Sequence, residues 1–292
     1  MNIGGYLSQG FAQHALIAGA LVAVTCGLIG PFVVIRNMAF AVHGTSELAF
    51  TGAAAGLLVA NDPIAGALLG GLVVAGVIGL LSVRERERDS AIGVVLAFGL
   101  GLGILLLSFY HGFATAATNI LFGDIFGVSV NQIIVLVAIG VTAALAMSLI
   151  QRPLLFASID PEVATARGLP VRALGLIFLV VLALTVTAAA QIVGTLLVLS
   201  LAITPAAAAQ RLTANPLATT SLSVLFALVA TEGGLLASLQ ASTIKPSVFI
   251  SGFSFAIYLL ARLSGPFVST RRTRPATPDP GHPLHLGGPV AD

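Results

Sequence analysis

The chain has 292 residues, of which 57% are hydrophobic and only 8% are charged, with a formal net charge of +2 at pH 7. Soluble domains carry about a quarter charged residues, so this composition excludes a soluble globular protein, a disordered chain and a fibrous repeat. A secreted disulfide scaffold is excluded because the single cysteine, Cys26, has no partner within the chain. The composition indicates a protein that crosses a membrane several times.

The charged residues are clustered and leave long uncharged stretches between them. About 20 apolar residues cross the hydrocarbon core as a helix, which satisfies its own backbone hydrogen bonds there. The sequence therefore predicts nine helices, with eight as the alternative because 38–60 and 111–130 are irregular. In chain order, the predicted helices lie near 11–35, 38–60, 63–83, 91–110, 131–150, 173–188, 190–210, 217–240 and 247–263.

Arginine and lysine predict how the chain is oriented, because cytoplasmic loops carry an excess of both. If the charged run 84–89 is cytoplasmic and the helices alternate, twelve of the 13 Lys and Arg residues fall on that side and only Lys245 lies outside. The C-terminus is then cytoplasmic. Residues 1–263 form the predicted transmembrane domain, and 264–292, rich in Pro, Gly, Arg and Thr, are predicted to be a disordered tail.

The longest predicted cytoplasmic loop contains a short helix within about 160–168. Asp160 is a suitable N-cap before a proline, and Glu162 places an acid in the first turn. Arg167 lies near the end of this helix, which Gly168 terminates. The segment is either an ordinary connection or a docking helix for a cytoplasmic partner.

The second predicted helix carries two polar residues at helical spacing. His43 and Glu47 are four residues apart, so they share one helix face and lie about 6 Å apart along its axis. An imidazole nitrogen and a carboxylate oxygen together suit a divalent cation such as Zn²⁺ or Mn²⁺. Glu47 lies eleven residues beyond Arg36, close to the middle of the bilayer. We expect a metal site on a transport pathway; the alternative is a hydrogen-bonded pair that stabilises packing.

Glu232 is the other acid within a predicted membrane helix, beside Gly233 and Gly234. Ionisable residues at this depth are candidates for function because burying their charge is costly. Glu232 is expected to be a second pathway carboxylate, a proton-bearing group or a structural partner of a polar neighbour. No spacing motif chooses among these three roles.

The motifs of several enzyme classes are missing from the sequence. A phosphate-binding loop requires a Gly-Lys-Ser/Thr ending, but the one lysine, Lys245, follows Ile244. The His-Glu-x-x-His and Gly-x-Ser-x-Gly patterns are also absent. We therefore expect no catalytic residue, no permanently bound cofactor and no nucleic-acid partner, and any ATP would be used by another protein.

Five stretches, in the expected order, resemble the permease subunit of the zinc/manganese-type metal-uptake ABC transporters. Together they cover much of residues 12–262. They are GLIGPFVVIRNMAFAVHGTSELAFTG (27–52), RERERDSAIGVVLAFGLGLG (84–103), LFGDIFGVS (121–129), IDPEVATARGLPV (159–171) and IVGTLLVLSLAITPAAAAQRL (192–212).

The resemblance implies an all-α permease of the type II ABC importer fold in a bacterial plasma membrane. It implies a homodimer of permeases, two cytoplasmic ATPase subunits and an external metal-binding protein. The substrate would be a divalent metal ion, manganese or zinc first and iron next. His43 corresponds to a position that is often Asp or His, and Glu47 to one that is usually His. Asp160, Glu162 and Arg167 lie in the segment that resembles the coupling helix, which contacts the ATPase.

Three other functions remain open at this point. A permease for a metal chelate or siderophore would need a wide cavity rather than a narrow path lined by carboxylates and imidazoles. An ion-coupled secondary transporter would bind protons at Glu47 and Glu232 and would need no ATPase. An intramembrane metallohydrolase using His43 and Glu47 would need ligands from a second helix, which the sequence does not show.

Overall fold

The computed structural model describes residues 10–81, 85–110, 122–240 and 245–264. Within these ranges the chain forms nine long helices, one short helix and a 3₁₀ turn at Ile125–Gly127, without any strand. The helices are α1 (Gly10–Ile35), α2 (Ala39–Ala60), α3 (Pro63–Leu81), α4 (Glu85–Ser108), α5 (Val130–Ile159), α6 (Pro161–Ala166), α7 (Val171–Val193), α8 (Thr195–Leu212), α9 (Pro216–Gln240) and α10 (Pro246–Ser264). The all-α prediction is confirmed.

Helices α1 and α7 form the centre of the bundle. Of the most apolar part of each, 67% is buried, compared with 22% for α5 and 17% for α10. Helix α1 packs on α5, α7, α8 and α9, while α7 also packs on α2 and α3. The outer helix α5 exposes an apolar stripe formed by Ile134, Val137, Val141 and Leu145. Exposed apolar side chains at this spacing are expected where a helix faces lipid.

Glycines bring α2 and α3 into backbone contact. Gly52 and Gly56 of α2 face Gly66 and Gly70 of α3. A Cβ atom on Gly66 would lie 2.7 Å from the Cα of Gly56 and would also contact the carbonyl oxygen of Gly52. Small residues four apart permit this approach in membrane helices. The C-terminal half of α2 is therefore in backbone contact with α3, with no room for side chains between the two helices.

Three predicted helix boundaries are wrong by five residues or more. Helix α4 begins at Glu85, six residues before the predicted start at 91. The break between α7 and α8 falls at Gly194, five residues later than predicted. The backbone turns there because Gly194 has a φ of +92°, a conformation that favours glycine. Helix α5 continues past Pro153 to Ile159 rather than stopping at 150. Its extension carries Leu154 and Ala157, which are buried in the core, so tertiary packing lengthens the helix beyond the membrane stretch.

Other segment predictions have different outcomes. The predicted irregular stretch 38–60 forms one continuous helix, Ala39–Ala60. This removes one of the two reasons for the alternative prediction of eight helices. Most of 111–130 and the predicted tail from 265 onward lie outside the described residues. Five helices in the described ranges are long and apolar enough to cross a membrane, namely α1, α5, α7, α9 and α10. Helices α3, α4 and α8 contain shorter apolar segments.

Candidate functional site

Helix α2 carries polar side chains along a length that would otherwise suit a membrane span. Polar side chains along it include His43, Thr45, Ser46, Glu47 and Thr51. The bundle accommodates this helix by packing it against α3, α4, α7 and α8. A polar helix enclosed in this way is typical of a pathway rather than of a lipid anchor.

The predicted pair is in contact. Nε2 of His43 lies 3.2 Å from Oε1 of Glu47, and the two side chains are 35% and 17% exposed. When Nε2 carries the proton it donates to the carboxylate, which leaves a lone pair on Nδ1. Nδ1 of His43 is buried and has no hydrogen-bond partner in the structure. The pair therefore presents nitrogen and oxygen atoms of the kind that bind a divalent cation.

Neighbouring residues fix the pair on a rigid support. The Ser46 hydroxyl donates to the backbone carbonyl of His43 at 2.9 Å. The Thr51 hydroxyl donates to the carbonyl of Gly99 on α4 at 2.6 Å, which joins the two helices one turn beyond Glu47. Gly99 itself is covered by the side chain of Leu48. The backbone that carries the pair is held by α4 on one side and by the glycine contact with α3 on another.

The described residues contain no complete set of side-chain metal ligands. Among the described residues there is no group of three or more His, Cys, Asp or Glu side chains that could hold a metal ion. Two ligands leave at least two positions of a tetrahedral ion open. Metal binding by His43 and Glu47 stays a prediction, and further His, Cys, Asp or Glu ligands would have to come from outside the described residues.

Glu232 lies apart from this pair, on α9 against α1. Its Oε1 atom is buried without a hydrogen-bond partner and lies 3.4 Å from the position that a Cβ on Gly19 would take. The nearby Thr231 hydroxyl is also buried without a partner. The structure does not join Glu232 to His43 and Glu47 in one ligand group. A separate role of Glu232 on the pathway stays a prediction.

The predicted coupling segment forms a capped helix. Asp160 accepts a hydrogen bond from the backbone N–H of Val163 at 3.0 Å, and α6 begins at Pro161 as expected. The guanidinium of Arg167 lies 5.7 Å from the centre of the Phe156 ring on α5. Glu162 and Arg167 are exposed. The segment thus presents one acid and one base on a short helix whose position is fixed by α5.

The structure contains a polar cavity that the sequence did not predict. It has a volume of about 210 Å³ and lies between α2, α3, α7, the start of α8 and the start of α5 with the segment before it. Its polar lining includes Asp124, Gln132, Thr187, Gln191 and Thr195. Gln191 spans helices by donating to a backbone carbonyl at the start of α3, at 3.3 Å. Amides within otherwise apolar stretches were the available signal, but only the tertiary structure brings them together.

Comparisons with known proteins agree with the resemblance found in the sequence. Residues 8–264 match the ABC 3 transport family. A manganese transport system membrane protein, MntC, of Halalkalibacterium halodurans is 33% identical over 230 residues, which cover 78% of this chain and 79% of that protein. A high-affinity zinc uptake system membrane protein, ZnuB, of Haemophilus influenzae is 28% identical over 252 residues, which cover 85% of this chain and 96% of that protein.

A solved structure is also similar. PsaBC from Streptococcus pneumoniae, in complex with a Fab, superimposes with a TM-score of 0.81 at 28% sequence identity. The alignment covers 90% of this chain and 95% of the matched chain. The agreement over this length indicates that the whole described bundle, and not one helical hairpin, is shared.

Proposed function

Since the chain belongs to the ABC 3 transport family, we propose that it is the permease subunit of an ATP-driven importer for a divalent metal ion. Manganese and zinc are the first substrates to test because the similar proteins are named for them, with iron next. The chain is a multi-pass membrane permease. In the proposed assembly two copies work with two cytoplasmic ATPase subunits and an external metal-binding protein.

The pair on α2 is the observation that carries this proposal. In a single chain, 35% of the His43 side chain is exposed although α2 packs against four other helices. An exposed imidazole beside a carboxylate is costly against lipid. A second copy that met this face would remove both groups from lipid and raise the number of ligands from two to four. Four nitrogen and oxygen ligands complete a tetrahedral site.

Weak binding suits transport better than a closed site does. An ion that passes through a membrane must be bound well enough to enter and loosely enough to leave. Two protein ligands per chain, shared between copies, release the ion when the two copies of α2 separate. In the proposed cycle ATP binding and hydrolysis by the partner subunits drive that separation, and the metal ion undergoes no covalent change.

Uptake into proteoliposomes tests the proposed function. The full chain, co-reconstituted with its ATPase and external binding protein, is expected to accumulate Mn²⁺ or Zn²⁺ only when ATP is present. Uptake without the ATPase, driven by a proton gradient, would instead identify a secondary transporter. Transport of a ferric siderophore but not of free metal ions would identify a chelate permease. Either result would overturn the proposal.

Exchanging the charges of the coupling segment is expected to weaken ATPase binding. The double variant Glu162→Arg with Arg167→Glu keeps both side chains exposed but inverts the charge pattern that a partner groove would match. Co-purification with the ATPase should fall by about tenfold or more, since two mismatched charges cost at least ~1.4 kcal/mol. Arg262→Glu, exposed near the end of α10, is the matched control and should leave the complex intact.

The same exchange examines the proposed orientation. Helix α6 reaches the ATPase only if the loop that carries it is cytoplasmic, as the arginine distribution predicts. An intact complex with unchanged ATPase stimulation in the double variant would remove the docking role from Glu162 and Arg167.

A further inference from the structure

We propose that a pocket at the arginine-rich end of the bundle binds one anionic phospholipid. The pocket has a volume of about 600 Å³ and lies between the ends of α1, α5 and α8 and the start of α9. That volume falls within the range of sites that enclose small organic ligands. The inference does not depend on which substrate the protein transports.

The depth of the pocket matches the headgroup region. Helices α1, α5 and α8 run without charge until Arg36, Arg152 and Arg211, so these arginines mark where hydrocarbon gives way to headgroups on one side. The pocket is lined by residues on both sides of that level, from Pro31 on α1 to Ile159 on α5. An amphiphile standing upright in the leaflet would place its phosphate at the arginines.

The lining combines apolar and polar side chains around Arg152. Phe32, Ile35, Leu155 and Leu217 supply the apolar wall. The pocket is rigid at its base because the Gln210 side chain on α8 donates to a backbone carbonyl of α1 at 3.2 Å. Other polar lining groups are amides, hydroxyls and one guanidinium. A mixed lining of this kind fits the boundary between headgroup and acyl chains better than it fits a small polar solute.

Arg152 is the group that selects an anion. It lines the pocket, is exposed, and makes no ion pair within the described residues. Arg36, at the same level, is engaged: it donates to the Ser158 hydroxyl at 3.1 Å and lies over the Phe178 ring. No acidic residue lines the pocket. The cytoplasmic leaflet is rich in anionic lipids, and basic pockets between membrane helices bind their headgroups.

Lipid binding to the purified full chain tests the proposal. Native mass spectrometry, with phosphatidylglycerol and phosphatidylethanolamine titrated into the detergent-solubilised protein, should show one tightly retained phosphatidylglycerol per chain. Arg152→Gln should weaken phosphatidylglycerol binding about fivefold and abolish the preference over phosphatidylethanolamine, whereas Arg152→Lys should retain both. Arg262→Gln removes an exposed arginine from the same end of the bundle but outside the pocket, and should behave like the unmodified chain.

A second variant distinguishes the pocket from the arginine alone. Ala214→Phe fills the lining without changing any charge and should displace the lipid while Arg152 remains. Equal binding of both lipids by the unmodified chain would overturn the proposal, as would unchanged phosphatidylglycerol binding in Arg152→Gln. Loss of ATPase co-purification in Arg152→Gln with lipid binding unchanged would show that the ATPase covers this pocket, and would equally refute a lipid site.

Discussion

Replacing Glu47 by glutamine is expected to lower metal uptake by roughly 100-fold while the protein remains folded and bound to its ATPase. Altering a group that merely supports a metal ligand costs 10- to 100-fold in affinity, so the loss of a charged ligand belongs at the upper end. The amide keeps the size of the side chain and its hydrogen bond to His43, which lies 3.2 Å away. Initial uptake rates in proteoliposomes measure the effect.

Three companion variants separate metal binding from packing. Glu47→Asp should recover part of the uptake because it restores a carboxylate, and His43→Ala should be as inactive as Glu47→Gln. Ser46→Ala is the control on the same helix: its hydroxyl bonds only to the backbone of His43, so uptake should stay close to normal. A purely structural pair predicts the reverse pattern, with Glu47→Gln tolerated. Normal uptake by an assembled Glu47→Gln complex would eliminate the metal site.

Glu232 requires its own substitution because it lies in a different part of the bundle. Its buried Oε1 atom faces α1, whereas His43 and Glu47 lie on α2. If Glu232 is a second pathway carboxylate, Glu232→Gln should slow uptake without changing the apparent affinity set by the first site. Unchanged rate and affinity would leave Glu232 as a structural residue.

Gly66→Ala is expected to destabilise the protein by about 2 kcal/mol or more, which is a large effect for one methyl group. The added carbon would overlap the backbones of Gly52 and Gly56, and backbone atoms cannot rotate away as side chains do. Overpacking of this kind typically costs 1–3 kcal/mol. Helices α2 and α3 would have to separate, and the support of His43 and Glu47 would shift with them.

Gly76→Ala is the matched control for this substitution. Gly76 lies on the same helix, and a Cβ there meets no atom within 4 Å. Because alanine is favoured over glycine in a helix by about 1 kcal/mol, this variant should be as stable as the original chain or more so. Thermal unfolding followed by size-exclusion chromatography in detergent compares the two. Equal melting temperatures for Gly66→Ala and Gly76→Ala would show that the glycine contact is not tight in the folded protein.

The long helices of the described residues and the His43–Glu47 contact followed from the sequence because each depends on local spacing. An uncharged stretch of sufficient length has one stable form in lipid, and residues four apart on a helix must be neighbours. The caps of α6 were predictable for the same reason, since Asp160 bonds within its own turn. Family membership also followed from sequence, through five ordered stretches rather than through any single residue.

Features that depend on contacts between distant segments were decided only by the tertiary structure. The extension of α5 to Ile159 rests on burial of Leu154 and Ala157 by other helices, which outweighs the local signal of Pro153. Residue spacing could not predict the cavity beside Gln132 and Gln191. It also could not predict that Glu232 lies apart from the His43–Glu47 pair. Apolar periodicity does not state which helices are neighbours. In a bundle where nearly every surface is apolar, close packing of small residues chooses the partners. That choice places Gly66 against Gly52 and Gly56, and thereby sets where the polar face of α2 lies.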